Sequence, residues 1–245
     1  MRRLLLAVLL ALTPAVAAAQ RAAEPAAPRV FVVGDSHVRM LGPSLLRRLE
    51  TFGAEPAGFE SRVGWSTRRY RREGDLGALL EANGRPEIVV VSLGGNDVVA
   101  DEARYAEDLT WVVEQARGAG AQTILWLGPA TSDADRSERA ERTGERHEAN
   151  AELQAELLPP MGVRWIDSRP LTESHHRRDG VHFTRTGYRL WAVAALPAVQ
   201  AACEGCEDES ASADAGEPSG DHHAALDASR MFDSIEDDEL PLGVA

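Results

Sequence analysis

Two short stretches far apart in the chain carry residue types suited to acyl transfer. Gly34-Asp35-Ser36 supplies a hydroxyl directly after an apolar run, and Asp179-Gly180-Val181-His182 supplies a carboxylate and an imidazole three residues apart. A serine hydroxyl is a poor nucleophile until a base takes its proton, and histidine suits that role near neutral pH. The base needs a carboxylate on its other ring nitrogen to fix tautomer and orientation. Gly180 permits a tight turn, so the Asp179 carboxylate can fold back onto His182. A tetrahedral intermediate also needs donors aimed at its oxyanion. Candidates are the backbone N–H groups of Ser36 and Gly64 and the side-chain amide of Asn96, within Gly94-Gly95-Asn96-Asp97.

Each residue also has a plainer use. Ser36 can cap the following helix, and Asp35 can brace the turn. Asp97 can be a local hydrogen-bond acceptor, and His182 alone can be an ordinary surface histidine. Trp65, directly after Gly64, either walls the site or packs partly buried in the core. His37, His175, His176 and Asp179 raise the question of a metal. Adjacent histidines point apart and a serine triad needs no metal, so neither metal nor cofactor is expected.

The elements that must position these groups alternate along the chain. Short apolar runs at 29–34, 57–64, 87–95, 122–128 and 163–168 read as strands. The third is continuously apolar and β-branched, as a strand buried on both faces should be. Helical spacing of apolar residues marks 41–49, 76–81 and 105–113, ending near Gly118. A long polar helix is expected over 136–158 and a last one over 185–200. Five strands alternating with five helices predict a parallel sheet covered on both faces, a three-layer α/β/α sandwich. Such sheets bind ligands beyond the carboxyl ends of their strands. Ser36, Gly64 and Asn96 follow the first three strands, and Asp179 and His182 lie in the loop after the fifth. All would then share one sheet edge.

Gly-Asp-Ser, the glycine after the second strand, Gly-Gly-Asn-Asp and Asp-Gly-Val-His occur in the order of the four blocks of the SGNH (GDSL-type) hydrolases. Together with His182–Tyr188, they make the body from Val30 to about Leu196 resemble that family. The resemblance implies a flavodoxin-like sheet of order 2-1-3-4-5 and ester hydrolysis through an acyl-serine. It implies Ser36 as nucleophile, Asp179 and His182 as the rest of the triad, and Ser36, Gly64 and Asn96 as the oxyanion hole. His37 departs from the pattern, since many members have leucine there; this leaves the triad intact but bears on the pocket beside Ser36. No G-x-S-x-G elbow and no nucleotide-binding glycine motif occurs.

The flanks differ from this body. Arg2 and Arg3, the apolar Leu4–Leu12 and Ala17-Ala18-Ala19 have the build of a secretory signal peptide over residues 1–19, cut before Gln20. Followed to Ala19, the apolar run contains Pro14 and is short of a membrane span, so no stable span is expected after processing and the protein is expected to be exported, periplasmic or extracellular. Residues 20–28 read as a linker. Residues 201–245 form an acidic tail that carries −12 of the chain's net charge of −13. Its composition predicts disorder, either as a solvated tail or with Met231, Phe232 and Ile235 as a docking motif for a protein partner. The body is thus nearly neutral, and a nucleic-acid ligand is not expected. Cys203 and Cys206 can pair in an oxidising compartment but would close only a tiny loop.

The expected substrate is a small-molecule or carbohydrate ester, acetyl esters foremost, because connections near the site are short and polar. Longer-chain lipase or thioesterase activity is the alternative within the enzyme class. A non-catalytic exported binding protein retaining the fold is the alternative outside it.

Overall fold

The computed structural model describes residues 27–202. The leader at 1–19, most of the 20–28 linker and the tail from Cys203 onward, both cysteines included, lie outside the described residues. Within them the elements run β1 (Arg29–Gly34), α1 (Val38–Glu50), β2 (Glu55–Ser61), α2 (Thr67–Glu73), α3 (Leu76–Ala82) and β3 (Ile88–Ser92). They continue α4 (Glu102–Gly118), β4 (Thr123–Leu127), α5 (Glu138–Leu157), β5 (Arg164–Ile166) and α6 (Arg185–Gln200). All strand pairs are parallel and the sheet order is β2-β1-β3-β4-β5.

Alternation along the strands divides the core in two. Val30, Val32, Val90, Leu125 and Leu127 face α1 and α6, where Leu41, Leu45, Leu49, Trp191 and Ala195 close the layer. Phe31, Val33, Val89, Val91 and Trp126 face the other way, toward Leu76 and Leu80 of α3 and Leu109, Val112 and Val113 of α4. The central strands are therefore apolar on both faces over Val30–Val33, Ile88–Val91 and Ile124–Leu127.

Two local readings change. Helix α2 was not expected, because Tyr70 is its only large apolar residue. Its start is held by polar groups instead. Ser66 Oγ accepts the Arg69 N–H at 3.1 Å, and Asp97 accepts the Thr67 N–H at 3.1 Å and the Thr67 hydroxyl at 2.5 Å. Asp97 is thus a long-range brace between two loops, not a local turn acceptor. The second change concerns Ser36. Helix α1 begins after His37 without a side-chain cap, and it is Asp35 Oδ1 that accepts the His37 N–H, at 3.0 Å. The serine hydroxyl is left free of the helix.

Helix α5 is polar as expected, yet one of its faces is buried. Thr143, His147, Asn150 and Gln154 follow helical spacing and are all buried. They pack on the backbone that leaves β3, which offers carbonyls in need of donors. Asn150 Nδ2 donates to Gly94 O at 2.7 Å and to Asp97 O at 2.9 Å. Gln154 Nε2 donates to Leu93 O at 3.0 Å and to the Tyr105 hydroxyl at 2.8 Å. Leu93 O also accepts from Trp126 Nε1 at 3.0 Å and Gly94 O from Asp97 N at 3.2 Å, whereas leaving Asp97 O unpaired would cost about 1–3 kcal/mol. The stripe therefore pins the Gly94–Asp97 loop.

Candidate active site

The sheet order reverses between β1 and β3, and the loops leaving those strands open a crevice at their carboxyl ends. Ser36 lies on the β1 loop. Its Oγ is 2.9 Å from His182 Nε2, and His182 Nδ1 is 2.8 Å from Asp179 Oδ2. These two contacts join residues 146 apart in the chain into one hydrogen-bonded line.

The Asp179–His182 turn is built to hold the imidazole. Gly180 takes φ +68°, and a Cβ there would lie 2.6 Å from Ala140 Cβ and 2.7 Å from Asp133 O. Asp179 Oδ1 accepts the N–H groups of Val181 at 3.0 Å and His182 at 2.9 Å, leaving Oδ2 for the ring. Partial burial would raise the carboxyl pKa, but these two N–H bonds and the imidazole outweigh it and hold it below the usual value. The side chain is 44% exposed, so orientation rests on hydrogen bonds more than on enclosure.

Behind the imidazole sits His37. Its ring is 5.3 Å from that of His182, and it packs among Phe183, Tyr188 and Trp191. Its Nδ1 is 3.1 Å from the Tyr188 hydroxyl. Burial, with the neighbouring His182 adding to it, drives its pKa well below 6.5, so it stays neutral. The residue that departs from the family pattern is a packing partner at the back of the site.

Gly64 and Asn96 reach the same crevice. Gly64 has φ +72° and is exposed, a conformation that favours glycine. Among the described residues no acceptor engages the N–H of Ser36 or of Gly64. Asn96 is different. Its Nδ2 donates both to Asp35 Oδ2 and to Trp65 O, each at 3.1 Å. Both amide hydrogens are committed, so donation to an oxyanion requires sharing or releasing one. Asp35, the ionisable one of these two partners, is buried; desolvation pushes its pKa up to about 7. Trp65 does not wall the crevice. Its ring is edge-on to Tyr70 at 4.9 Å and lies beneath the guanidinium groups of Arg62 and Arg69.

His175 and His176 stand apart from the line. His175 is exposed at φ +68°, and His176 packs on Phe183 with Nε2 facing Thr131.

Several residues at the crevice were not anticipated. Arg139, Arg142, Thr143, Arg146 and His147 of α5 form one wall, with Val63 and Val181 beside them. His147 bridges the loops, its Nδ1 2.6 Å from Ala130 O and Nε2 3.2 Å from Gly95 O. The helical spacing of polar residues in α5 was the available signal, since a polar stripe at that period marks a face with hydrogen-bonding work to do. The cavity holds about 300 Å³.

Such an arrangement can deprotonate a hydroxyl, keep the base in one tautomer and offer free N–H groups to a developing oxyanion. No curated protein matches the chain significantly. Solved structures similar in fold include a carbohydrate acetylesterase family member from Sinorhizobium meliloti, 18% identical with a TM-score of 0.58, covering 71% of this chain and 98% of that one. An inhibitor-bound M. smegmatis aryl esterase is 18% identical with a TM-score of 0.56, covering 71% and 99%. Est24, a carbohydrate acetylesterase from Sinorhizobium meliloti, is 17% identical with a TM-score of 0.56 and the same coverage. The family model of the GDSL-like lipases and acylhydrolases matches residues 18–190. With its motifs and its sheet order in agreement, the chain belongs to the GDSL-like lipase/acylhydrolase family and is an ester-hydrolysing enzyme.

Proposed function

We propose that the enzyme hydrolyses short-chain acyl esters, acetyl esters foremost, through an acyl-serine on Ser36. The observation that carries the reading is the line Ser36 Oγ–His182 Nε2–Asp179, with contacts of 2.9 and 2.8 Å. In the first half-reaction Oγ bonds to the ester carbonyl carbon while its proton passes to His182 Nε2. The carbonyl electron pair moves to oxygen, where the N–H groups of Ser36 and Gly64 meet it, and Asn96 adds a donor when it yields its bond to Asp35. Collapse breaks the bond to the alcohol oxygen, which leaves with the proton from His182. Water then repeats the sequence on the acyl-serine, releasing the acid and restoring the hydroxyl. Asp179 holds the Nδ1–H throughout and offsets the charge of the transient imidazolium.

A short acyl group suits the cavity. Beside Ser36, His182 and their neighbours, its lining is glycine backbone, two valines and the polar wall of α5. A carbohydrate or cell-envelope polymer is the proposed source of the alcohol; the acetylesterases of similar fold support this. Export, periplasmic or extracellular, is part of the proposal and rests on the composition of residues 1–19. Among the described residues no helix is long and apolar enough to cross a membrane.

The test is a panel of 4-nitrophenyl esters from two to eight acyl carbons, with Ser36→Ala as control. A maximum at two carbons and a fall of at least ~10²-fold in Ser36→Ala are expected. Equal rates for the two proteins would remove the acyl-serine, and a maximum at long chains would replace the acetylesterase reading by a lipase.

A further inference from the structure

The wall formed by α5 carries more charge than acyl transfer needs. Arg139, Arg142 and Arg146 occupy successive turns of one helix face and all line the catalytic crevice. The same helix carries Glu138, Glu141, Glu145 and Glu148, and none of these lines the crevice. Glu145 and Glu148 border a separate depression beside Arg169. Charge on α5 is thus sorted by face, with cations toward the reacting serine.

The three guanidinium groups have spare donors. Among the described residues Arg139 meets no carboxylate within ion-pair distance. Arg142 has Glu138 at 3.5 Å, with side chains 67% and 87% exposed, a pairing worth little in water. Arg146 commits only Nε, to Gly95 O at 2.9 Å, and keeps its two terminal nitrogens. Among the described residues the one acidic residue lining the crevice is Asp35, which is buried and already occupied by His37 N–H and Asn96. Cations of one sign lining a concave site focus their field there, and guanidinium groups pair with carboxylates in a bidentate fork. The body that carries them is otherwise nearly neutral, since residues 201–245 account for −12 of the net charge of −13.

We propose that Arg139, Arg142 and Arg146 bind an anionic group on the alcohol half of the substrate, making the preferred ester an O-acetylated sugar that bears a carboxylate. This rests on the esterase reading and adds the charge of the substrate to it. The neutral acyl end lies at Ser36, and the carboxylate of the sugar is held against α5.

Two acetylated methyl glycosides that differ only at C6, glucuronate against glucose, test the proposal with the full-length protein. At low ionic strength kcat/KM is expected to be about tenfold higher for the glucuronate, equivalent to ~1.4 kcal/mol. In 0.5 M NaCl the ratio should fall toward unity, because exposed pairs are screened. In an Arg139→Gln/Arg142→Gln variant, whose thermal melt confirms folding, the ratio should fall in the same way. A ratio of one at low salt, or a ratio that the double variant leaves intact, overturns the proposal. So does a charge preference found on the acyl side, read as 4-nitrophenyl monosuccinate against butyrate.

Calorimetry separates this failure from failure of the esterase reading. Ser36→Ala protein should bind a tetrauronate in preference to a neutral tetrasaccharide, and the two arginine substitutions should remove that preference. Equal binding of the two sugars defeats the arginine proposal even if Ser36-dependent turnover of aryl acetates is intact. Loss of that turnover with the binding preference retained defeats only the acyl-serine reading.

Discussion

Replacing Asp179 by asparagine should cost far more than the loss of one charge, and the local hydrogen bonds say why. Oδ1 of Asp179 accepts two backbone N–H groups, at 3.0 and 2.9 Å, while Oδ2 faces His182 Nδ1 at 2.8 Å. An asparagine there has to keep its carbonyl oxygen in the Oδ1 position. The flipped amide would set NH₂ against two N–H donors and forfeit two hydrogen bonds of about 1 kcal/mol each. A difference of about 2 kcal/mol favours the unflipped form by roughly 30-fold. In that form NH₂ points at the imidazole, donates to Nδ1 and fixes the proton on Nε2. The serine oxygen 2.9 Å away then meets a proton where it needs a lone pair. A fall in kcat of about 10⁴-fold is expected, the scale of a triad in the wrong tautomer. Asp179→Ala removes the charge but leaves the tautomer free, so it should retain more activity than Asp179→Asn. Initial rates on 4-nitrophenyl acetate at pH 7.5 measure both, and the ¹⁵N shifts of His182 report the tautomer directly. An asparagine variant within tenfold of wild type, or one more active than the alanine variant, would refute the reasoning.

Three further outcomes are expected. Gly94→Ala should destabilise the fold by more than ~2 kcal/mol, read by urea denaturation, because φ is +120° and a Cβ would lie 2.1 Å from Gln154 Nε2; a melt unchanged from wild type would be inconsistent with the packed loop. Burial pushes the Asp35 pKa up to about 7 in the folded state, against 3.8 for an unperturbed aspartate. The folded state therefore binds the proton more tightly, and this residue makes stability decline as pH rises from about 4 to 7. Asp35→Asn should flatten that part of the stability profile while lowering its overall level, since either amide orientation opposes a donor on His37 or Asn96. His37 works in the opposite direction. Its folded pKa lies below 6.5, so the unfolded state takes up the proton first and stability is lost as pH falls below about 6.5. His37→Leu should lessen that acid-side loss, measured by denaturation at pH 7 and pH 5, and an unchanged difference between the two would count against a neutral buried imidazole.

Residue order was enough to place the strands and most helices. Burial on both faces demands uninterrupted apolar runs such as Ile88–Val91, and helices that cover the sheet need an apolar stripe, so both leave a local pattern. The four motif blocks marked Ser36, Gly64, Asn96, Asp179 and His182, and the resemblance they carry implied the strand order. Helix α2 left little pattern because its start is secured by Asp97 from another loop rather than by apolar spacing. The direction of Trp65, the full engagement of the Asn96 amide and the arginine wall on α5 were settled only by packing. Each depends on which distant groups share a face once the sheet order is formed. Hydrogen bonding and charge act through space between residues remote in the chain, and a one-dimensional pattern records such pairings only when a motif happens to mark both partners.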